Sequence, residues 1–566
     1  MMMVVKFILE KNKLKEIKHY LGLFSSAILP IVLFYVFATL TDTHTNRTDN
    51  PSGFFQYNAE LDDVFLPHHP PLKSLFDKLT GNIIVQQWEA WSYVGLTTTL
   101  FFIIIIILSI IQLFKRNSNS ILYKLFDSSL LNISLISAIV VLLFAMAVPF
   151  KQIDGLIDYF PFIKPFRATG RFTWPFYFVS LVFSAFVLQK IYNMATSKKQ
   201  ILFITILCVF VGCFNIIEGL PYHSDVSKYI TISKNIFKKE GLSNSYIKAL
   251  KQINASKYQA IITLPFYYQG SECFSRPRSY KTVSSSFVMS YHTGIPIVCA
   301  NLTRTSVDES KKIVQIVSPD FYTKQIQYDI KSTKPFLVIT TNDSLTDYEK
   351  EILLKCKTLF SSEEISVYSL LPEDLFHNNS IKVFEKYKRA KSYLYDNQTF
   401  QISSDSAFLY YNGFEKSSSK HIFRGKGGFQ SVKAGKNTFA EFAPNTFKLG
   451  KTYHVSLWMY NGMKDALNDW FRFIIEEHDE EKNTINSTTY FPEQSETIYG
   501  NWSLLEGTFE IKNPKSKILI ITKGKENATQ ELFVDDLLIK ENGVDIYKLV
   551  NDDELFYNNH QVLINH

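Results

Sequence analysis

Residues 93–114, YVGLTTTLFFIIIIILSIIQLF, contain no charged side chain and include an unbroken run of phenylalanine, isoleucine and leucine at 101–108. A helix rises 1.5 Å per residue, so about 20 residues reach about 30 Å, the thickness of the hydrocarbon core of a bilayer. A buried helix of a water-soluble protein would be shorter and would carry polar interruptions. The stretch therefore predicts a membrane-spanning helix.

Four other segments before Pro221 share this character, with similar length and almost no charge. They are Tyr20–Leu40, Leu131–Phe150, Phe172–Tyr192 and Gln200–Leu220. No convincing signal-peptidase site follows the first of them, so we expect it to remain in the protein as a span. Residues 1–221 are thus predicted to form a multi-pass α-helical membrane region with about five spans.

The distribution of lysine and arginine predicts the orientation of these spans. Basic residues are concentrated in the N-terminal head and in the loops after the second and fourth spans, and they are sparser in the loops 41–92 and 151–171. Because basic residues in short loops stay on the cytoplasmic side, the N-terminus is predicted to be cytoplasmic. Residues 222–566 would then be extracytoplasmic, at a bacterial inner (cytoplasmic) membrane.

Overall composition excludes several classes of protein. The 566 residues carry a net charge of +7 without a basic block, which argues against a nucleic-acid binder. Apolar residues make up 46% of the chain, which excludes wholesale disorder, and five cysteines exclude a disulfide scaffold. The protein is predicted to combine a membrane region with large water-soluble domains.

Residues 222–372 alternate short β-rich runs with helical ones, which predicts a small α/β domain on a mostly parallel sheet. The predicted strands and helices are Ala260–Leu264, Ile295–Cys299, Pro335–Thr340, Ile365–Ser369, Val307–Val317 and Leu345–Lys357. Neither nucleotide-binding fingerprint is present in the sequence. Cys273 and Cys299 fall in this domain, where a disulfide could persist, and the sequence leaves their pairing open.

After a predicted linker at 373–399, residues 400–545 show period-two alternation divided by glycine, asparagine and proline, which predicts an antiparallel β-sandwich. The clearest runs are Thr438–Phe442, Tyr453–Tyr460, Phe471–Glu476, Trp502–Ile511 and Ile518–Thr522. Residues 546–566 are expected to be a C-terminal tail.

Four short motifs in this region occur in a telling order: Asn412–Glu415, Tyr453–Trp458, Trp502–Phe509 and Phe533–Leu537. Together they resemble carbohydrate-binding jelly rolls of the CenC-like type. The resemblance implies a structural calcium site, which maps to Glu415, Asp535 and Asp536. Hard oxygen ligands from the two terminal strands would suit Ca²⁺, although the aspartates could equally just end a strand.

Aromatic side chains could stack on the apolar face of a bound sugar, but a sandwich core needs aromatic residues as well. Trp458 and Trp502 lie within strand patterns and are predicted to be core residues. Trp470, which follows a polar loop, is the better exposed candidate, with Tyr460 and Tyr490 as further candidates for carbohydrate binding.

The segment after the third predicted span, Phe160–Pro175, combines prolines, aromatic residues and three cations. Cations retained on the outer side need a reason, and Lys164, Arg167 and Arg171 could grip the phosphate of a lipid-linked sugar. They could equally contact lipid headgroups or a nearby carboxylate such as Asp154 or Asp158.

Together with Gly53–Leu61 and Glu89–Leu96, this segment resembles a bacterial family of polytopic membrane proteins of unknown function related to GT-C and YfhO-type glycosyltransferases. The resemblance covers about residues 40–190 and corresponds to the later part of such proteins. Asp62 and Asp63 could supply a catalytic base on the outer loop, or bind a cation, or be solvated. His68 and His69 lack a third spaced ligand, so a metal site there is weakly indicated.

Two functions are open at this point. The first is a glycosyltransferase-like membrane protein, or the C-terminal half of one, that uses a lipid-phosphate-linked sugar in envelope glycan assembly. It would lack the usual N-terminal catalytic loop. The alternative is a non-catalytic envelope protein that is anchored in the lipid bilayer and binds glycans through its sandwich. Apart from possible calcium, no cofactor is indicated.

Overall fold

The computed structural model describes residues 2, 5–6, 17–48, 53–81, 88–114, 129–271, 273–276, 278–299, 301–302, 305–397, 399–431, 435–462, 471–524 and 531–564. The chain divides into two compact units. The helical unit comprises Met1–Thr43 and Asn50–Lys234, and the β-rich unit comprises His44–Asp49 and Asn235–His566.

The helical unit is built from five apolar helices and two short polar ones among its described residues. They are α1 (Ile17–Thr41), α2 (Leu61–Phe65), α3 (Leu72–Thr80), α4 (Leu96–Phe114), α5 (Ser129–Ala145), α6 (Trp174–Asn193) and α7 (Lys198–Ile232). All five segments predicted to span a membrane are therefore helical.

Three described stretches are long and apolar enough to cross a membrane: Tyr20–Thr41, Thr169–Asn193 and Lys198–Ile232. Helix α4 begins at Leu96, three residues after the predicted start of its span at Tyr93, and ends at the predicted Phe114. Helix α5 ends at Ala145 rather than Phe150, because proline at 149 disfavours helical backbone at the residue before it. Helix α7 continues beyond the predicted Leu220 to Ile232.

The two sequence blocks that carry the resemblance in the helical unit meet in space. The backbone N–H of Gly170 donates to the Tyr57 carbonyl over 2.9 Å. A Cβ at Gly170 would lie 2.7 Å from the Ala90 side chain, so glycine permits this close approach. These loops of the helical unit thus pack together beside the helices.

The β-rich unit begins with a four-stranded sheet in the order β1-β4-β6-β5. Its strands are β1 (Ile261–Leu264), β4 (Phe336–Thr340), β5 (Lys357–Phe360) and β6 (Ser366–Leu370), and a small hairpin, β2 (Tyr268–Gly270) and β3 (Phe274–Arg276), lies outside it. Only β1 and β4 pair in parallel among these strands, so the sheet is mixed rather than mostly parallel. The short β5–β6 connection explains this, since neighbouring strands joined by a tight turn must run antiparallel.

Helices accompany this sheet: α8 (Asn244–Lys251), α9 (Tyr280–Thr293), α10 (Val307–Val314) and α11 (Asp347–Leu354). The predicted helices at 307–317 and 345–357 correspond to α10 and α11. The predicted strand at 295–299 is reduced to a single parallel bridge between Ile297 and Ile261.

The predicted β-sandwich is present as two antiparallel sheets in the orders β10-β18-β12-β16-β15 and β11-β17-β13-β14, with β9 also pairing with β18. The strands are β9 (Leu409–Asn412), β10 (Phe429–Ser431), β11 (Asn437–Phe442), β12 (Thr452–Tyr460), β13 (Phe471–His478), β14 (Thr484–Tyr490), β15 (Thr497–Tyr499), β16 (Trp502–Glu510), β17 (Lys517–Gly524) and β18 (Leu532–Glu541). Alternation sends Leu457 and Met459 into the core between the sheets and Trp458 to the opposite face.

A third sheet combines residues from the predicted linker, the start of the predicted sandwich and the predicted tail. Its order is β21-β20-β19-β8-β7, from β7 (Tyr395–Asn397), β8 (Phe400–Ile402), β19 (Ile546–Asn551), β20 (Glu554–Tyr557) and β21 (His560–Leu563). Residues 373–399 also contain the end of α12 (Pro372–Phe376) and all of α13 (Ser380–Ala390), whose Phe384 and Tyr387 pack on this sheet. The charged surface of α13 gave this segment the composition of a linker.

The turn of the last hairpin packs against the face of the sandwich sheet that points away from the sandwich core. Asn558 and Asn559 both have positive φ, as a two-residue turn between β20 and β21 requires. The Nε1–H of Trp458 donates to the Asn559 carbonyl over 2.8 Å, and the Asn559 amide donates to the Ser456 hydroxyl and the Asp536 carbonyl. The face opposite the sandwich core is therefore occupied by the chain itself.

Lys324 holds the loop that follows α10. Its side chain is buried, and its ammonium donates to the carbonyls of Ile316 and Ser318, at the end of the helical turn after α10. Burial, together with the charge of Lys355, lowers the pKa of Lys324 to about 7. Lys324 thus fixes the loop 321–328 through backbone carbonyls. The contacts described for it include no hydrogen bond to a carboxylate.

This arrangement predicts how stability depends on pH. Above about pH 7 folded Lys324 has lost its proton, whereas the unfolded chain keeps it up to about pH 10. The unfolded state then binds more protons, so the free energy of unfolding should rise with pH across this window. In Lys324→Met this contribution should be absent, and stability should be lower because two buried carbonyls lose their donor.

The measurement is thermal unfolding of the full chain between pH 6.5 and about pH 10, followed by near-ultraviolet circular dichroism. Lys334→Met, at an exposed lysine of the same unit, is the control. An identical pH slope in wild type and Lys324→Met would contradict the role given to this group.

Candidate functional site

An open cleft of about 1010 Å³ lies within the β-rich unit, where α10, the loop 321–328, the edge strand β15 and the last strand β21 meet. The residues that line it are Asp308, Lys311, Lys312, Gln315, Phe321, Tyr322, Thr323, Gln325, Tyr328, Asn378, Ile498, Tyr499, Gly500, Gln561, Leu563 and Ile564. The cleft is therefore built jointly by the α/β domain, the sandwich and the third sheet.

Helix α10 presents one polar side to the cleft. Its N-terminus is fixed by a capping box between Ser306 and Glu309. Val307 and Val314 are buried in the core, whereas Asp308, Lys311 and Lys312 line the cleft at the spacing of one helical face. The same helix thus supports the core and supplies polar groups to the cleft.

Gln315 connects three walls of the cleft. Its side-chain amide donates to the Ile498 carbonyl of β15 over 3.0 Å, and its side-chain oxygen accepts the backbone N–H of Gln325 over 3.0 Å. Because Gln315 is buried, these bonds are shielded from water and fix the spacing of helix, loop and strand.

Both lysines of the cleft, and its Asn378 and Thr323, have side-chain partners. Lys311 donates to the side-chain oxygen of Asn501 over 2.9 Å, and Lys312 forms a 2.7 Å ion pair with Asp329. Burial lowers the pKa of Lys311. The Asn378 amide donates to the Thr323 hydroxyl over 3.1 Å. Amides, hydroxyls and paired charges therefore dominate the polar lining.

Aromatic rings form the remaining surface. Tyr328 is 70% exposed at the end of the loop, and Tyr499 and Tyr322 lie deeper, with ring centroids 6.0 Å apart. Burial raises the pKa of Tyr499, so its hydroxyl stays protonated and able to donate near neutral pH. Behind the cleft, the Tyr322 hydroxyl lies 3.3 Å from Nδ1 of His560. Burial lowers the pKa of that histidine to about 4, which keeps it neutral.

This combination suits a polyhydroxylated, uncharged ligand. Amide and hydroxyl groups can donate and accept hydrogen bonds with sugar hydroxyls, and tyrosine rings offer flat apolar faces. Among the lining residues, which all belong to the described part of the chain, Asp308 is the only carboxylate.

Tyr460 and Tyr490, two of the three aromatic residues predicted to bind sugar, are not among the residues that line this cleft. The Tyr460 ring stacks on His421 at 3.9 Å between centroids. The Tyr490 ring covers Gly507, where a Cβ would lie 1.9 Å from it, and its hydroxyl donates to the Thr508 carbonyl. Trp470 lies outside the described residues. Trp458 and Trp502 are buried, as predicted, with Phe423 stacked on Trp458 at 4.1 Å.

The predicted calcium ligands have other partners. Asp535 accepts backbone N–H groups from Phe423, Arg424 and Asp536, while Asp536 accepts the Tyr411 hydroxyl and lies 3.2 Å from the Arg424 guanidinium. Burial, together with the neighbouring Asp536 carboxylate, raises the pKa of Asp535 to about 7.

Glu415, the third predicted ligand, accepts the Lys426 backbone N–H over 2.7 Å. Within the described residues no three acidic, histidine or cysteine side chains converge as metal ligands. Several N–H donors and the Arg424 guanidinium lie beside these carboxylates, and calcium binding by them stays a prediction.

Two of the three cations predicted to grip phosphate are paired with carboxylates. Lys164 lies 2.7 Å from Asp158, the alternative recognised in the sequence. Arg171 contacts Glu89 through two nitrogens, at 2.6 and 2.7 Å. The carbonyl of Arg167 lies against Gly53, which has a positive φ. Phosphate binding by these residues stays a prediction.

The predicted base, Asp63, is buried and accepts the Glu60 backbone N–H over 2.8 Å as part of a helix cap. Its neighbour Asp62 lies in the same short helix. His68 contacts the Asp63 carbonyl and stacks on Trp91, and His69 packs on Tyr222. Cys273 and Cys299 are both buried, and no disulfide joins them.

Sequence reasoning missed the cleft because its residues are scattered over four elements. Asp308, Lys311 and Lys312 have the spacing of a solvated helix face, and Tyr499 lies on a three-residue edge strand. The available signal was Asn558-Asn559 between alternating residues, which predicts a hairpin turn rather than a tail.

Residues 1–215 match the family model described as a domain of unknown function, DUF6311. No curated protein matches the chain. Among solved structures, the CBM22-1 xylan-binding domain of Paenibacillus barcinonensis Xyn10C is similar at 14% identity and a TM-score of 0.16, over 26% of this chain and 86% of that one. The CBM22-2 xylan-binding domain of the same protein is similar at 13% identity and a TM-score of 0.17, over 26% and 94%.

The VP2 subviral particle of infectious bursal disease virus is also similar, at 12% identity and a TM-score of 0.17, over 25% of this chain and 33% of that one. Xylan-binding domains and a virus particle thus share a likeness to this chain, which at these scores does not specify a ligand. The matches named here give no support to the expected glycosyltransferase relationship.

Proposed function

We propose that this chain is a non-catalytic carbohydrate-binding protein, held at a membrane by its apolar helices, and that the cleft beside α10 is its glycan site. The observation that carries the proposal is the lining of that cleft: three tyrosines, five other residues with side-chain amides or hydroxyls, and the Lys312–Asp329 ion pair at its wall, in a space of about 1010 Å³. The proposed glycan site therefore lies at the β15 edge of the sandwich and not on the sandwich face.

Pre-organisation supports binding at this place. Gln315 and Lys324 fix the loop 321–328 before any ligand arrives, so little ordering cost would fall on the complex. Tyr328 projects from the end of that loop and offers its ring to the open side of the cleft. A sugar ring resting on Tyr328 would bring its hydroxyls toward the amides of Gln325 and Asn378.

The membrane part of the proposal is supported by Tyr20–Thr41, Thr169–Asn193 and Lys198–Ile232, which have the length and apolarity of spans. Most residues of these helices expose their side chains, as the large exposed aliphatic and aromatic residues of α1 and α7 illustrate. Burying this surface in lipid would remove it from water. The β-rich unit would face the extracytoplasmic side, where envelope glycans are found.

We expect Tyr328→Ala to weaken glycan binding about fivefold, because one aromatic contact contributes about 1 kcal/mol and 1.4 kcal/mol corresponds to a tenfold change in Kd. The measurement is isothermal titration calorimetry of the full chain in nanodiscs with neutral probes: xylohexaose, cellohexaose and maltohexaose.

Tyr393→Ala is the matched control, since Tyr393 is 80% exposed in the same unit but does not line the cleft. It should leave Kd unchanged. Equal Kd values for wild type and Tyr328→Ala, or no binding of any probe, would contradict the proposal.

The predicted orientation can be tested in a bacterial host with reporters fused after His566. Because basic residues favour a cytoplasmic N-terminus, alkaline phosphatase at this position should be active and a cytoplasmic fluorescent protein dark. Inactive phosphatase with a bright fluorescent fusion, at matched expression, would place the β-rich unit in the cytoplasm and overturn this part of the proposal.

A further inference from the structure

The distribution of polar and apolar residues on helix α9 is the reverse of that on an ordinary surface helix. Its buried side contains Thr282, Ser285 and Ser286 besides two apolar residues, whereas its outward side carries aromatic rings. Tyr280, Phe287 and Tyr291 are 94%, 49% and 60% exposed. Their spacing of seven and four residues places them on one face of the helix. A surface helix of a soluble domain normally shows the opposite pattern, with charges outward.

The segment before α8 extends this surface. The Phe237 ring packs edge-on against Tyr291, with centroids 4.9 Å apart, and a ring nitrogen of His292 lies 2.8 Å from the Ile236 carbonyl. Phe237 is itself exposed. We call Phe237, Tyr280, Phe287 and Tyr291 the aromatic patch.

Position in the chain indicates what covers the aromatic patch. Phe237 comes five residues after Ile232, where helix α7 ends, and 17 residues after Leu220, the end of the span predicted within that helix. Exposed Lys234, Lys238 and Lys239 flank it on both sides in the sequence. Aromatic residues beside lysines, in the segment that follows a membrane span, are typical of the membrane–water interface.

We infer that the aromatic patch rests on the surface of the bilayer that α7 crosses, with the neighbouring lysines attracted to anionic headgroups. The rings would bury their exposed apolar area among headgroups, which explains why α9 places its serines inward. The inference rests on the proposed membrane attachment. It adds a second lipid contact, made by the β-rich unit itself, which would restrict the orientation of the glycan cleft.

The test is photo-crosslinking of the full chain in nanodiscs of phosphatidylethanolamine and phosphatidylglycerol. Benzoylphenylalanine is introduced singly in place of Phe287 or Tyr291, which keeps an aromatic ring at an exposed position. The same residue in place of Phe210, an exposed ring within α7, reports the span, and in place of Tyr393 it reports an exposed tyrosine of the β-rich unit outside the patch. Lipid adducts are identified by mass spectrometry.

We expect lipid adducts at 287, 291 and 210, and none above background at 393. Adducts at 210 without adducts at 287 and 291 would overturn the inference while leaving the membrane attachment intact. Adducts at none of these positions would overturn both. Crosslinks from 287 or 291 to a second copy of the chain in place of lipid would also overturn it, in favour of self-association.

Discussion

The insertion of the Asn558-Asn559 turn against the outer face of the sandwich sheet is the interaction on which the β-rich unit depends. Trp458 Nε1 and the Ser456 hydroxyl would be buried without partners if Asn559 did not meet them. The cost of an unpaired buried polar group makes this arrangement specific as well as stable. By filling that face, the turn fixes the third sheet and leaves the edge at β15 as the place where an open cleft can form.

The cleft follows from this constraint. Since β21 is anchored through the turn, its Gln561 and Leu563 stand opposite α10, and Gln315 joins α10 to β15 and to the loop 321–328. The ion pairs and amide contacts of the lining are satisfied before a ligand binds. Arg424 has a similar supporting role nearby. Its guanidinium contacts Asp536 and lies over the Phe556 ring at 4.6 Å. A cation of the chain itself thus supports the region where the sequence suggested calcium.

Hydrophobic periodicity predicted the positions of the regular helices and strands well. It failed where contacts between residues distant in the sequence determine the structure. The five apolar segments are helical, and β12, β13 and β16 lie at the expected positions because alternation directly reports burial. The α/β sheet is mixed, since strand direction depends on pairing that one sequence does not reveal. Tyr460 and Tyr490 were predicted to bind sugar only because they are aromatic. In the structure their rings pack on His421 and Gly507. The cleft could not be predicted, because it exists only where four separate elements meet.

The most direct measurement of the central claim is hydrogen–deuterium exchange of the full chain in nanodiscs, with and without the hexasaccharide that binds. The account predicts slower exchange in 308–328 and 498–500, which line the cleft, and unchanged exchange in 419–424 and at Tyr460, which pack on the sandwich face. Protection confined to the sandwich face, or protection in neither region while the sugar is bound, would contradict a glycan site in this cleft.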